Sequence, residues 1–310
     1  MTTPPALPLV QRRLSWGDLD EAAVRNLVRF AYEEDLRGLG LGKSPPQTGD
    51  ATSRALSLFG TGKAQLTSRS ATVVCGLPLL HLTLEVFEVE NAEVETHVME
   101  GARIEPGAII ATLTGDVAGL LAAERTLLNL LQQLCGVAAA AQSFSDAVSD
   151  SGVGLLDTRK TTPGFRALQK YAVAIGGFFN HRFGLFERIL IKDNHLAAEQ
   201  AIEGNLLTEA VRQAKRAEPN LLIEVEVDHL EQIAPALKGG ADALLLDNFT
   251  PEQVVEAMTL TDGRTVVEAS GGITLENVQS YASARPHFIS TGAPVHQSAW
   301  ADLGLDWLDD

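Results

Sequence analysis

The sequence predicts an α/β protein, with a strand-rich first part followed by a parallel sheet covered by helices. Three observations lead there. From residue 154 onward, short and nearly continuous apolar runs alternate with amphipathic segments, as strands buried on both faces require. Before residue 116 the pattern is different, with strand-like runs separated at Gly76, Gly101 and Gly107. Finally, six successive apolar runs in the second part end on polar or charged residues: Asp157, Lys192, Glu226, Asp247, Ser270 and Ser290. A doubly wound sheet and a barrel both fit the alternation. The polar strand ends favour the barrel, where all C-terminal strand ends meet at one rim and chemistry sits there.

Taken in order, residues 1–17 are proline-bearing and expected to form a tail. They lack a cationic start followed by an apolar core, so no secretory signal is expected. Residues 18–36 place Leu19, Ala22, Val24, Leu27, Val28 and Ala31 at helical spacing. The Gly- and Pro-rich stretch 37–50 reads as a loop. LTLEVFEVE (82–90) and AIIATLTG (108–115) read as strands. Residues 118–148 read as one long helix with a broad leucine face, in which Gly136 is a tolerated interruption. Strands are then expected at 154–158, 189–193, 221–227, 243–248, 265–270 and 287–291. Helices are expected at 163–176, 205–217, 228–238, 250–260 and 274–284.

Composition narrows the function classes. With 45% hydrophobic and 21% charged residues, the chain reads as an ordinary soluble enzyme. No apolar run approaches the roughly 18 residues a membrane helix needs. Cys75 and Cys135 form neither a disulfide framework nor a zinc spacing; they are expected to be buried thiols in a reducing cytoplasm. A net charge of −16 without a basic stripe argues against nucleic acid. Against that acidic background, the stretch from Arg159 to Lys192 contains Arg159, Lys160, Arg166, Lys170, Arg182, Arg188 and Lys192, with Glu187 as its one acid. Such a local reversal of charge, punctuated by turn residues, reads as a pocket for a small polyanion.

The chain resembles the quinolinate phosphoribosyltransferase family through an ordered set of motifs. These are AERTLLNLLQQLCGVA (123–138), DTRKTTPG (157–164), KYAVAIGG (170–177), NHRFGL (180–185), LIKDNH (190–195), EVEV (224–227), LLDNF (245–249), EASGG (268–272) and ISTGAPVH (289–296). The resemblance implies an open-faced α/β sandwich at 18–120 and an incomplete α/β barrel at 121–293, with residues 294–310 returning to the sandwich. It also implies a homodimer. The implied reaction joins quinolinate to 5-phosphoribosyl-1-pyrophosphate, giving nicotinate mononucleotide, pyrophosphate and carbon dioxide. By resemblance, Arg159, His181, Arg182 and Lys192 hold the quinolinate carboxylates, Thr158 adds a substrate contact and Lys160 faces the phosphoribosyl side. Arg125 is expected from the neighbouring subunit. Glu226 and Asp247 face the ribose and the Mg2+ that accompanies pyrophosphate. Ser270, Gly271, Gly272, Ser290, Gly292 and His296 are expected around the 5-phosphate.

The residue types suit that chemistry. Arg matches planar carboxylates bidentately and Lys acts as a point charge. Magnesium takes few protein carboxylates and keeps several waters. Exposed N–H groups in Gly loops bind phosphate oxygens. Glu224 lies on the same side of its strand as Glu226, free either to share the site or to pair with a cation. His81, His97, His229 and His287 read as structural. The sequence departs from the family pattern at Phe178, which puts bulk where a third glycine is expected. Alternatives are the molybdenum-transport-associated relative of the family, a barrel aldolase using Lys160 or Lys192 as a Schiff base, and a binding protein without turnover. Lys192-Asp193-Asn194-His195 favours the quinolinate reading over the molybdenum-associated one.

Overall fold

The computed structural model describes residues 4–198 and 204–308. The chain divides into two compact units. One comprises Leu14–Ala140, Thr162–Gly176 and the described residues from Ser298; the other comprises the described residues up to Arg13, Ala141–Thr161 and those within Gly177–Gln297. The division is discontinuous, with the described residues from Ser298 grouped with Leu14–Ala140.

The first unit is built on a four-stranded antiparallel sheet. Its strands are β1 (Thr61–Ser68), β3 (Glu93–Thr96), β5 (Ile109–Asp116) and β12 (Leu303–Trp307), in the order β12-β1-β5-β3. The short strands β2 (Thr72–Val73) and β4 (Arg103–Ile104) pair separately. Alternation along β1 buries Ala64, Leu66 and Ser68 on one face, the period-2 pattern of a half-covered sheet. The helix Glu21–Arg37 starts at Asp20, whose carboxylate accepts from the backbone N–H of Ala22 and Ala23, and ends at Gly38 in the left-handed conformation.

One expected strand is a helix. Residues Pro78–Val86 are α-helical, and the chain turns at 87–90, so LTLEVFEVE is not extended. The period-2 spacing of Leu82, Leu84 and Val86 misleads because this helix is buried nearly all round: Leu79, Leu80 and Thr83 are buried as well. Pro78 occupies the first turn, where its missing N–H costs nothing. The Glu100 carboxylate accepts the N–H groups of Gly76 and Leu77 just before it, at 2.5 and 2.9 Å.

The long helix spans Val117–Ala147. Gly136 is required there rather than merely tolerated, because a Cβ at this position would collide with the Ala299 carbonyl. The same helix is tied to the returning C-terminal segment: Gln132 accepts from the Ala301 N–H and donates to the Leu303 carbonyl.

The second unit holds six parallel strands: β6 (Gly154–Leu156), β7 (Ile189–Ile191), β8 (Ile223–Val227), β9 (Ala243–Asp247), β10 (Val266–Ser270) and β11 (Phe288–Ser290). Their order is β6-β11-β10-β9-β8-β7, with β6 and β7 at the two edges, so the barrel is incomplete. Leu156, Ala243, Val266 and Phe288 pack with Val10 in one core cluster. Helices Gly204–Ala217, Ile233–Gly239, Pro251–Thr261 and Val278–Ser283 follow the strands. Parallel pairing points every strand's C-terminal end the same way, so the polar ends of β6 to β11 gather at one rim.

Candidate active site

A cavity of about 320 Å³ opens at this rim. Thr158, Arg159 and Lys160 reach it from the segment after β6, His181 and Arg182 from the segment before β7, and Lys192 from the residue after β7. Glu226 on β8, Asp247 at the end of β9, Glu268 and Ser270 on β10, and Ser290 on β11 also line it, with Asp157, Leu190 and Leu245. A smaller cavity of about 150 Å³ shares Thr158, Lys160, Ser270 and Ser290 with it; Gly271, Gly272, Gly292 and His296 also line it.

Local structure explains how each side chain is held. Asp157 is buried at the end of β6. Its two oxygens accept the His181 backbone N–H at 2.7 Å and the Asn180 amide at 2.8 Å, which fixes the Asn-His-Arg segment to the strand end. The Thr158 hydroxyl accepts the Lys160 N–H at 3.0 Å. His195 folds back so that its Nδ1 accepts the Lys192 N–H at 3.0 Å. The Lys192 ammonium is ion-paired with Glu226.

The cations are poised for anions. Arg182 is buried and donates to the Arg188 carbonyl at 2.9 Å. Burial and the charge of Arg159 lower the pKa of its guanidinium. The Nε groups of both Arg159 and Arg182 are buried donors without an acceptor among the described residues. A buried donor of this kind is costly until an acceptor arrives.

The acids divide into two sets. At the rim, burial raises the pKa of Glu226 against the pull of Lys192, and burial together with Asp228 raises that of Asp247. Beneath the rim, Glu224 lies 3.1 Å from Arg188 and 3.1 Å from His181 Nε2. Burial pushes the Glu224 carboxyl up, but Arg188 and His181 outweigh it and hold it well below the ordinary range. Glu224 thus pairs with Arg188 below the rim, beside His181. Glu268, 3.7 Å from the same imidazole nitrogen, is pushed up to about 7 by burial and by the Glu224 charge. Sequence reading missed Glu268. The available signal was its position two residues before Ser270 on one strand, which puts both side chains on the same face.

In the glycine loops, Gly271 has φ 98°, and a Cβ there would lie 2.8 Å from the Asn248 backbone nitrogen. A Cβ on Gly292 would meet His296 Nε2 at 2.9 Å and the Thr158 hydroxyl at 3.1 Å. Phe178 is fully buried away from the cavity. Its ring packs edge-on against Phe144, with centroids 6.2 Å apart, and its carbonyl accepts from Arg13. Arg125 is an exposed residue on the long helix of the other unit and is not among the lining residues.

Two family models match the sequence. The quinolinate phosphoribosyl transferase N-terminal domain covers residues 50–135 and the C-terminal domain covers 137–306. The chain belongs to the quinolinate phosphoribosyl transferase family. Among its relatives is the nicotinate-nucleotide pyrophosphorylase [carboxylating] of Mycobacterium leprae, 40% identical over 94% of this chain and 99% of that protein. The human protein of the same name is 35% identical over 79% of this chain and 82% of its own length. The solved nicotinate-nucleotide pyrophosphorylase of Francisella tularensis superimposes with a TM-score of 0.85 at 32% identity, covering 96% of this chain and all of that one. Family membership and fold therefore agree with the motifs read from the sequence, and these relatives do not favour the molybdenum-associated alternative.

Proposed function

We propose that this chain transfers the phosphoribosyl group of 5-phosphoribosyl-1-pyrophosphate to quinolinate with decarboxylation. The products are nicotinate mononucleotide, pyrophosphate and carbon dioxide, a step of NAD synthesis. One observation supports this above the rest: Arg159, Lys160, Arg182 and Lys192 share one cavity with His181, Glu226 and Asp247, beside a smaller pocket lined by Gly271, Gly272 and Gly292. Quinolinate brings two adjacent carboxylates, and the buried Nε donors of Arg159 and Arg182 suit them, with His181 and Lys192 alongside. Lys160 and the loops at Ser270–Gly272 and Ser290–Gly292, with His296, take the phosphoribosyl side. Thr158 orients Lys160 through its backbone.

The chain's residues orient the reaction. Holding both substrates in one cleft replaces an encounter in water with a positioned attack of the quinolinate ring nitrogen on ribose C1. Glu226 and Asp247 stabilise the positive charge that develops on the ribose as pyrophosphate leaves. After transfer the pyridine nitrogen is cationic. The carboxylate beside it then departs as carbon dioxide, because the electron pair left on carbon adjoins that charge.

Glu226 and Asp247 also fit magnesium. They are hard oxygen donors on neighbouring strands, and burial and like charge raise both their pKa values despite the nearby Lys192. When bound with the pyrophosphate, magnesium supplies neutralisation of the departing group. Other aspects of this reading are a homodimer in which the partner subunit's Arg125 reaches the site, and residence in the cytoplasm. None of the described helices is long and apolar enough to cross a membrane.

Quinolinate labelled in the carboxylate next to the ring nitrogen, incubated with the phosphoribosyl donor and magnesium, is expected to release labelled carbon dioxide in step with pyrophosphate. Pyrophosphate release without labelled carbon dioxide would overturn the carboxylating assignment.

A further inference from the structure

Arg182 borders two cavities. One is the rim cavity. The other, of about 190 Å³, has no part in the reaction as derived, and its whole lining comes from the second unit. Its cations are Arg12, Arg182 and Arg188, its one acid is Glu187, and Asn180 and Asn220 bring amides. The charges pair unevenly. Arg12 is ion-paired with Glu187 at 2.6 Å, and the other Glu187 oxygen accepts the Phe183 N–H. Arg188 is ion-paired with Glu224 at 3.1 Å. Arg182 is left over. The one hydrogen bond of its guanidinium among the described residues runs from Nη1 to the Arg188 carbonyl, and its buried Nε has no acceptor there.

We propose that this cavity is a second anion site, which takes a small oxyanion of the phosphate class and competes with the rim cavity for the guanidinium of Arg182. The site is built into the fold: Arg182 and Arg188 are each more than nine-tenths buried, so packing holds both guanidiniums in place. A guanidinium presents its N–H groups in a fixed fork that matches the oxygens of an oxyanion. The volume lies below the roughly 300 Å³ at which pockets for drug-sized ligands begin, which limits the occupant to a small ion. Asn220 is exposed in the turn before β8 and adds an amide donor from the solvent side.

An unmatched buried guanidinium is costly, and an anion in either cavity offsets that cost. The offset is available once. An anion in the second cavity therefore weakens the hold of Arg182 on a carboxylate at the rim, and a carboxylate at the rim weakens the second site by the same factor. Arg182 is the one cation that lines both cavities, so it carries this coupling. The coupling rests on the quinolinate reading, because it needs Arg182 to hold a substrate carboxylate. Occupation of the second cavity does not.

Quinolinate binding to the full chain is measured by calorimetry, without the phosphoribosyl donor, at increasing inorganic phosphate and constant ionic strength. In the parent protein the Kd for quinolinate is expected to rise roughly five-fold or more and then level off, because both cavities can be filled at once. Asn220→Asp puts a carboxylate into the second cavity, and Arg12→Gln removes a guanidinium from it; neither residue lines the rim cavity. Without phosphate both variants should bind quinolinate as the parent does, and with phosphate they should lose most of the rise. A rise of equal size in the parent and both variants puts the phosphate elsewhere and overturns the second site. A parent Kd that phosphate leaves unchanged overturns it as well. If the parent fails to bind quinolinate, the functional reading falls, and the 31P line width of phosphate decides the second site by itself. Greater broadening by the parent than by Asn220→Asp supports the site; equal broadening overturns it.

Discussion

Lys192 is the residue in which charge and position are most tightly joined. Its ammonium is paired with Glu226, its backbone N–H is held by His195, and its side chain remains 42% exposed to the cavity. Truncation removes a cation from the cavity and strands a buried carboxylate. Lys192→Ala is expected to fold, as circular dichroism can verify, and to lose kcat/KM on the order of 10²-fold or more. Parent-like turnover would remove Lys192 from the site. Phe178 calls for a different prediction. It is fully buried against Phe144, so Phe178→Ala should cost roughly 3–5 kcal/mol of stability, read by denaturant titration, with KM for quinolinate nearly unchanged in the folded fraction. Glu268 couples stability to pH. Its carboxyl is raised above the ordinary Glu range, so the folded state holds a proton that the unfolded chain releases. That contribution is complete below the ordinary Glu range and is lost as pH rises through about 7. Glu268→Gln should flatten the fall in Tm of the ligand-free protein across this window; an unchanged slope would assign the fall to other groups.

At the scale of elements, the loops after β10 and β11 line the smaller cavity, which the proposed function gives to the phosphate. Gly271 needs a positive φ and close approach to Asn248, so Gly271→Ala distorts the loop before it touches ligand. Strain of this kind costs roughly 1–3 kcal/mol. The KM for the phosphoribosyl donor should rise more than that for quinolinate, a comparison that steady-state kinetics provides; equal rises would mean the distortion spreads beyond the loop. The parallel strands were legible in the sequence because burial on both faces forces apolar runs, and their polar ends mark where burial stops. Pro78–Val86 was misread because a helix buried all round no longer displays one apolar stripe. Gly136 was undervalued because its reason lies in the chain returning at Ala299, far away in sequence.

At the scale of the whole molecule, a net charge of −16 surrounds a cationic rim, so an anionic substrate must be drawn in by the local field and not by the overall one. If the partner subunit's Arg125 completes the site, mixing Arg125→Ala chains with Lys160→Ala chains should restore activity in heterodimers that carry one intact site. No recovery after verified subunit exchange would confine the site to a single chain. By itself, the sequence determined the family, the α/β class and the order of polar strand ends, because these depend on periodicity and on motifs contiguous along the chain. Tertiary structure decided which of two nearby acids lines the cavity and which pairs below it: Glu226 meets Lys192 at the rim, whereas Glu224 meets Arg188 and His181 beneath. It also brought Glu268 under His181 and turned Phe178 into the interior. Those outcomes depend on neighbours supplied by other strands, and strand periodicity assigns a side chain to a face without saying which partner from another strand will meet it.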